Sequence, residues 1–322
     1  MKNIFFVSVI FFVIPGLTGC QVFVPADPHP LIDKIWSVED QKFISEESFG
    51  RRVQENDAIM LGETHDNLRH HQLQAQVINE LVKTQRRPAV AFEMLNQEQQ
   101  AVIVQFQASA KNKTDDFSQA VNWDKSGWPE WSYYRPVFQS AIENDLPIIA
   151  ANLDLKLIRK VIKQGSKVLA QNYQDLLTKY QYDPALKKEL EQEILSAHCD
   201  MLPEKMLSPM LMGQQVRDLA MTQAVQSSLN SSTGDGIVLI AGSGHSRKDY
   251  GVPYYLQQEM PELKVVSIAF MEVSEDEFKP GDYAEAWGAK KLPFDYVWFT
   301  PRAEREDQCE KMKAYMEKRR VQ

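Results

Sequence analysis

The chain has 322 residues, with 36 Lys and Arg against 44 Asp and Glu, a formal charge of −8, 43% hydrophobic side chains and 10% aromatic ones. At roughly 100 to 200 residues per domain, this length builds one large or two modest domains with real cores, and the ordinary composition excludes disorder, collagen and coiled coil. The acidic balance leaves no electrostatic footprint for DNA or RNA, which need clustered Lys and Arg to meet phosphate.

Lys2, the apolar run Ile4 to Ile14 and the segment Pro15 to Cys20 read as an export signal. The run is too short to span a bilayer, and no later window of about twenty apolar residues serves as a transmembrane segment. Leu17-Thr18-Gly19-Cys20 resembles the lipobox of bacterial lipoproteins, which implies that residues 1 to 19 are removed and that Cys20 is acylated. Each buried CH₂ then contributes about 0.8 kcal/mol, so the lipid alone holds the protein to a membrane. Gln21 after the cysteine resembles the outer-membrane sorting pattern, so the expected place is the outer membrane, facing the periplasm or the cell surface. The bland alternative is a plain signal peptide with a chance Cys. Two cysteines remain, Cys199 and Cys309. In an oxidising compartment they form one bridge around a long loop, and otherwise they are two buried thiols.

Residues 20 to 50 are Pro-rich and polar and read as a tether. The main domain is predicted over 51–310. Short apolar runs bounded by turn or cap signals follow at Ala58 to Gly62, Pro88 to Glu93, Leu146 to Ala151, Gly236 to Ala241, Leu263 to Phe270 and Asp295 to Phe299. Continuous apolar runs between helical segments suit buried parallel strands. One helical stripe runs through Leu73, Val77, Ile78 and Leu81, and another through Leu153, Leu157, Ile158 and Val161 to a C-cap at Gly165. Residues 166–230 are helical throughout and read as an inserted subdomain, and 311–322 as a C-terminal tail. The fold class is therefore α/β: a three-layer, doubly wound, mostly parallel sheet with ligands at the C-terminal strand ends.

Two of these strands end alike, in Gly62-Glu63-Thr64-His65 and in Gly242-Ser243-Gly244-His245. A glycine there lets the chain turn sharply and approach a ligand, and the His projects from the sheet edge. His65, His245, Glu63 and Glu93 can share one crevice, either as ligands for a divalent metal or as an acid/base set for hydrolysis. The alternative is two tight loops with exposed histidines. His70 and His71 are expected to be solvated. The densest signal is Trp123 to Pro136, where three of six Trp and two of eleven Tyr fall within twelve residues. Pro129 and Pro136 each fit the first turn of a short helix. A phenol on such an apolar wall suits ferric haem iron, with Arg135, Arg247 and Lys248 pairing propionates. Plain core packing is the competing account of these aromatics.

Gly62-Glu63-Thr64-His65, Phe92-Glu93-Met94, Trp131-x-x-Tyr134-Arg135-Pro136, Ala151-Asn152, His198-Cys199 before Met201-Leu202-Pro203, Gln215-x-Arg217-Asp218, Ala241 to His245 and Phe299-x-x-Arg302 resemble the ChaN family. These are haem-binding lipoproteins within a grouping of erythromycin-esterase-like and Tiki/TraB-like proteins. The resemblance spans about residues 50 to 310. It implies ferric haem bound face to face across a homodimer, with a tyrosine on the iron and a partner histidine on a propionate. Residue by residue, Tyr134 matches the tyrosine before Arg-Pro, with Tyr133 as fallback, and the histidine is left among His65, His198 and His245. The wider grouping implies a competing reading, a hydrolase using His65, Glu63, Glu93 and His245. The leading expectation is a carrier or store for haem, without bond-breaking chemistry; a third reading is a scaffold with a vestigial crevice.

Overall fold

The computed structural model describes residues 28–109, 113–231, 233–307 and 309–314. The export signal and Cys20 lie outside the described residues, as does most of the expected tail. Strands β1 (Ile35–Ser37) and β2 (Lys42–Ile44) come first, then α1 (Glu46–Val53), β3 (Ala58–Glu63), α2 (Leu68–Lys83) and β4 (Ala89–Asn96). Helices α3 (Gln100–Gln107), α4 (Thr114–Ala120) and α5 (Trp131–Glu143) lead to β5 (Ile148–Asn152). Next are α6 (Leu155–Gln164), α7 (Gln171–Lys179), α8 (Pro184–Ala197) and α9 (Glu204–Asn230). The chain continues through β6 (Ile237–Gly242), α10 (Ser243–Ser246), α11 (Val252–Glu259), β7 (Val265–Glu272) and β8 (Tyr296–Thr300).

The eight strands make one sheet in the order β2-β1-β8-β7-β3-β6-β4-β5. β8 to β5 are mutually parallel, and the β1–β2 hairpin adds an antiparallel edge to β8. The fold class is thus the mostly parallel α/β sheet expected, and all six predicted runs are strands within a few residues. The hairpin was not expected. The span read as a tether holds β1 and β2, since Ile35 and Ser37 are buried against β8, and strands of three residues do not stand out within a Pro-rich, polar stretch.

Helices cover both faces. On one, α1, α2 and α5 pack Phe49, Leu73, Ile78, Val137 and Phe138 on Ile59, Leu61, Phe92, Ile240 and Trp298. On the other, Met221 and Val225 of α9 and Val252 and Leu256 of α11 lie on Ala58, Met60, Ala89, Ala91, Leu239 and Ala241. The small side chains on this second face let a 27-residue helix run close over the strands. Caps set where the helices begin. Asn67 accepts from the Arg69 N–H, Asp154 from Lys156 and Asp183 from Ala185, while Gly165, at φ +79°, ends α6 as predicted.

Residues 166–230 carry three α-helices, a 3-10 turn and no strand among the described residues. Pro136 departs from expectation. It lies inside α5 rather than in its first turn, where its missing N–H removes one helical hydrogen bond.

A disulfide joins Cys199, just past the end of α8, to Cys309 across a sequence separation of 110 residues. Closing a loop of that length removes about 4 to 5 kcal/mol of unfolded-chain entropy. Reduction, or Cys199→Ser with Cys309→Ser, is expected to lower Tm by several degrees while leaving a cooperative transition, as followed by circular dichroism with and without dithiothreitol.

Candidate functional site

The C-terminal ends of β3, β6 and β4, three neighbouring strands, carry the chemistry. Glu63 is the last residue of β3 and pairs in register with Gly242, the last residue of β6. The two Gly-x-x-His turns therefore sit side by side. Their glycines serve space rather than conformation. A Cβ on Gly62 would lie 3.0 Å from Ser243 Cα, and one on Gly242 would lie 3.0 Å from His65 Nε2, while Gly242 keeps an ordinary φ of −57°. Each turn thus occupies the volume that the other's glycine leaves free.

Glu63 is fully buried and ionised. The Tyr134 hydroxyl donates to its Oε1 at 2.8 Å, His65 Nδ1 lies 2.9 Å from the same oxygen, and His71 Nδ1 lies 2.8 Å from Oε2. Burial pushes the carboxyl up, but the His71 and His65 imidazoles outweigh it and hold it well below the usual carboxylate range. His71 also donates from Nε2 to the His65 carbonyl, so both its nitrogens act as donors, and its pKa is raised against the pull of burial.

Glu93, on β4, forms the second centre. Its Oε2 accepts from the Gly242 N–H at 2.7 Å, and its Oε1 pairs with Arg217 of α9. His245 Nε2 stands 3.5 Å from Oε1, while its Nδ1 lies 2.6 Å from Asp218 Oδ1. Burial opposes the His245 imidazolium, but Glu93 and Asp218 together raise its pKa to about 9. Burial is also the main reason that Asp218 itself is raised.

His65 and His245, with Glu63 and Glu93, lie at neighbouring strand ends as two closed imidazole–carboxylate groups. Among the described residues no three of His, Cys, Asp or Glu converge so as to hold a metal ion. His70 and His71, expected to be solvated, are fully buried. His70 Nδ1 accepts from the Thr64 N–H at 2.8 Å and Nε2 donates to Thr300 Oγ1 at 2.8 Å, and burial holds its pKa down at about 3. A polar stripe at a helix start resembles a solvated face, and only the closeness of the His65 turn explains its burial.

Tyr134, the expected ligand of haem iron, lies within the Glu63 cluster. Tyr134 is completely buried, its ring centroid 4.0 Å from that of His71, and its hydroxyl is spent on Glu63. Burial and the Glu63 charge both raise its pKa far above the ordinary phenol value. Tyr133 is half-buried against the same core. Arg135 is exposed and pairs with Asp115 at 2.7 Å. Arg247 is 3% exposed, held by Glu193 and Asp249 and stacked on Tyr250, and Lys248 pairs with Asp295. All three cations expected to meet propionates are thus taken by partners within the chain. His198 bonds the Ile194 carbonyl through Nδ1 at the end of α8.

The open space near the site lies at the ends of β4 and β5. A cleft of about 750 Å³ is walled by Trp128, Met94, Leu153 and Leu155 and includes Glu93 and Arg217. Trp128 meets the His65 ring edge-on at 4.9 Å, so His65, with a side chain 36% exposed, borders it. Lys125, Lys156 and Arg159 stand on the rim, exposed and without an ion pair among the described residues. Sequence reasoning missed these three and Asp218. A lone Lys in a loop or a Lys and Arg on an amphipathic helix carry no local signal, whereas Arg217 and Asp218 were visible only as letters of a motif.

The profile of the family described as "Haem-binding uptake, Tiki superfamily, ChaN" matches residues 49–256. Among solved structures the chain is similar to the ChaN of Campylobacter jejuni, described as binding haem cofacially. The two share 24% identity over 82% of this chain and 95% of that one, with a TM-score of 0.65. Weaker likenesses are to a mutant of the erythromycin esterase EreC in its open conformation (12%, 86% and 99%, TM-score 0.48) and to a Bacillus cereus protein (11%, 76% and 77%, TM-score 0.44). No curated protein sequence matches the chain.

His245 carries a pH signature. Its folded pKa of about 9 lies above the unfolded value near 6.5, so the stability it confers is complete below pH 6.5 and is lost as pH rises through about 9. The difference is on the order of 3 kcal/mol at 1.36 kcal/mol per unit. Thermal melts from pH 6 to 10 are expected to show this fall in the wild type, while His245→Gln starts lower and loses most of the slope.

Proposed function

Because the chain belongs to the ChaN family of haem-binding uptake proteins within the Tiki superfamily, we propose that it holds ferric haem in the cleft at the ends of β4 and β5. The cleft carries this reading. Trp128 and Leu155 offer an apolar surface to a planar ring, and Lys125, Lys156, Arg159 and Arg217 face the carboxylates that such a ring bears. Its volume lies within the range of about 300 to 1,000 Å³ usual for small-molecule sites. An acidic protein with three cations that have no ion pair among the described residues around one cleft with an apolar wall is suited to a small anionic ligand rather than a polyanion.

The residues fit the ring and its carboxylates, but Tyr134 does not fit the iron as placed. Its hydroxyl would have to leave Glu63 and surrender a tightly held proton. Its role here is to orient Glu63, which orients His65 through Nδ1. His65 is the half-exposed donor bordering the cleft, and we assign it the position facing the ligand, with Tyr133 as the remaining phenol for tyrosine ligation. When bound, the haem supplies the iron chemistry; this chain supplies the apolar wall, the cations and the oriented imidazole.

We further propose a homodimer closing over the cleft, since Leu155 is 49% exposed at its edge. The body would be held at the outer membrane by acylated Cys20, for uptake or storage. No described helix is long and apolar enough to cross a membrane. A hydrolytic reading draws on the same His65, whose Nδ1 is oriented by Glu63 as a general base would be. Turnover of a p-nitrophenyl ester that is lost in both His65→Ala and Glu63→Gln would support it.

Hemin titration into the chain from Gln21 onward, followed in the Soret region with light scattering, is expected to saturate and to raise the molecular mass. Lys156→Glu with Arg159→Glu is expected to weaken binding about tenfold or more. Tyr134→Phe should keep the spectrum at lower Tm, whereas Tyr133→Phe and His65→Ala should alter it. An unsaturable titration, or charge-reversed variants that bind like wild type, would overturn the assignment.

A further inference from the structure

Helix α6 and the 3-10 turn that follows it carry five cations, Lys156, Arg159, Lys160, Lys163 and Lys167, with no acid anywhere between Leu155 and Ala170. All five are exposed, and none has an ion pair among the described residues. Exposed charge elsewhere is of mixed sign. Every other described α-helix with a Lys or Arg also carries an Asp or Glu; Arg51 pairs with Glu47 in α1, Lys83 with Glu80 in α2 and Lys187 with Glu191 in α8. In α6, Lys156, Lys160 and Lys163 stand at i, i+4 and i+7 on one stripe, where like charges repel.

The opposite face of α6 is fixed. Ile158 and Val161 are buried against Val216 and Leu219 of α9. A Cβ on Gly213 of α9 would lie 3.0 Å from Ile162 Cγ1, so the two helices approach as closely as a glycine permits. The cations therefore stand on a rigid support, and engaging them requires no ordering of the backbone. Lys156 and Arg159 border the haem cleft, whereas Lys160, Lys163 and Lys167 lie outside its lining.

A row of cations with no internal counter-charge calls for an anionic partner. Four of the five are Lys, a residue depleted at protein–protein interfaces but usual on helices that lie against anionic lipid. A chain of net charge −8 repels a polyanion that wraps it, whereas a planar surface meets only the face turned toward it. The N-terminal side of the chain suits the same orientation. The Asp33 N–H donates to the Phe299 carbonyl near the C-terminal end of β8, and α6 begins at the C-terminal end of β5, on the same edge of the sheet. The eight residues from Cys20 to Pro28 reach about 26 Å when extended. That is comparable with the six strand spacings, about 29 Å, that separate β1 from β5. We propose that the exposed face of α6 docks on the anionic phospholipid head groups of a membrane. For its orientation this inference rests on the lipid attachment proposed above; the charge argument stands without it.

The test is co-sedimentation of the chain from Gln21 onward, which lacks the acylated cysteine, with vesicles of phosphatidylcholine alone or mixed with phosphatidylglycerol. Binding is expected only to the mixed vesicles and is expected to fall steeply with added salt. Each Lys near such a surface is worth roughly fivefold in affinity, so Lys160→Gln with Lys163→Gln and Lys167→Gln should weaken binding on the order of a hundredfold. The same loss of charge from other exposed positions, Lys187→Gln with Lys188→Gln and Lys290→Gln, should leave binding unchanged. All three α6 positions are exposed, so the variant should keep the wild-type circular dichroism and Tm. Equal binding to both kinds of vesicle, binding to neither, or an α6 variant that binds like wild type would overturn the proposal. So would an equal loss in the control variant, which would make net charge the cause. Inorganic phosphate that displaces the vesicles better than chloride at matched ionic strength would point to a single phosphate site and overturn it as well. Hemin binding should be the same in the α6 variant and wild type, so failure here and failure of the haem reading are distinguishable.

Discussion

Two carboxylates buried at the ends of neighbouring strands govern the architecture around them. An ionised Glu63 or Glu93 inside a sheet edge is tolerable only when every lone pair is met by a donor or a positive charge. The rest of the molecule supplies these from distant parts of the sequence: His71 from α2, Tyr134 from α5, Arg217 from α9 and a backbone N–H from the end of β6. Three crossover segments and the end of β6 are thereby fixed to one edge of the sheet, and the orientation of His65 follows from that fixation. The long α9 helix makes sense in this light, because it carries Arg217 and Asp218 over a face of alanines to reach Glu93 and His245.

The electrostatic division between interior and rim also follows. Inside, acids and bases neutralise one another at hydrogen-bond distance, so little charge is left to act on a ligand. At the cleft, Lys125, Lys156 and Arg159 have no such partners among the described residues and supply positive charge that a net charge of −8 conceals. The cations beside conspicuous motifs, Arg135 and Arg247, are bound by Asp115, Glu193 and Asp249 instead.

Much of this was readable from residue order. Buried parallel strands announce themselves as short apolar runs, and the matched Gly-x-x-His endings of β3 and β6 pointed to the site because two strands in register must place equivalent residues together. What stayed hidden depends on contacts between distant segments. β1 is three residues long, too short for any periodicity to show. Burial of His70 and His71 arises from the packing of the His65 turn, not from their own neighbours in sequence. Tyr134 stood in an aromatic cluster that reads equally as a binding wall or as a core, and its hydroxyl is decided by Glu63, 71 residues away. The glycines at the two turns stand out in the sequence, but each makes room for the neighbouring turn rather than bending its own.

The bridge between Cys199 and Cys309 has a temporal meaning as well as an energetic one. Cys309 follows β8, so it is made only after every strand of the sheet has been synthesised. Cys199, between α8 and α9 of the helical insertion, must therefore wait, as a free thiol, until the last strand exists. Cross-linking is thus ordered behind completion of the sheet, and an oxidised chain certifies that its final strand has been delivered. A chain stalled before β8 would instead retain a reactive thiol by which it could be told apart.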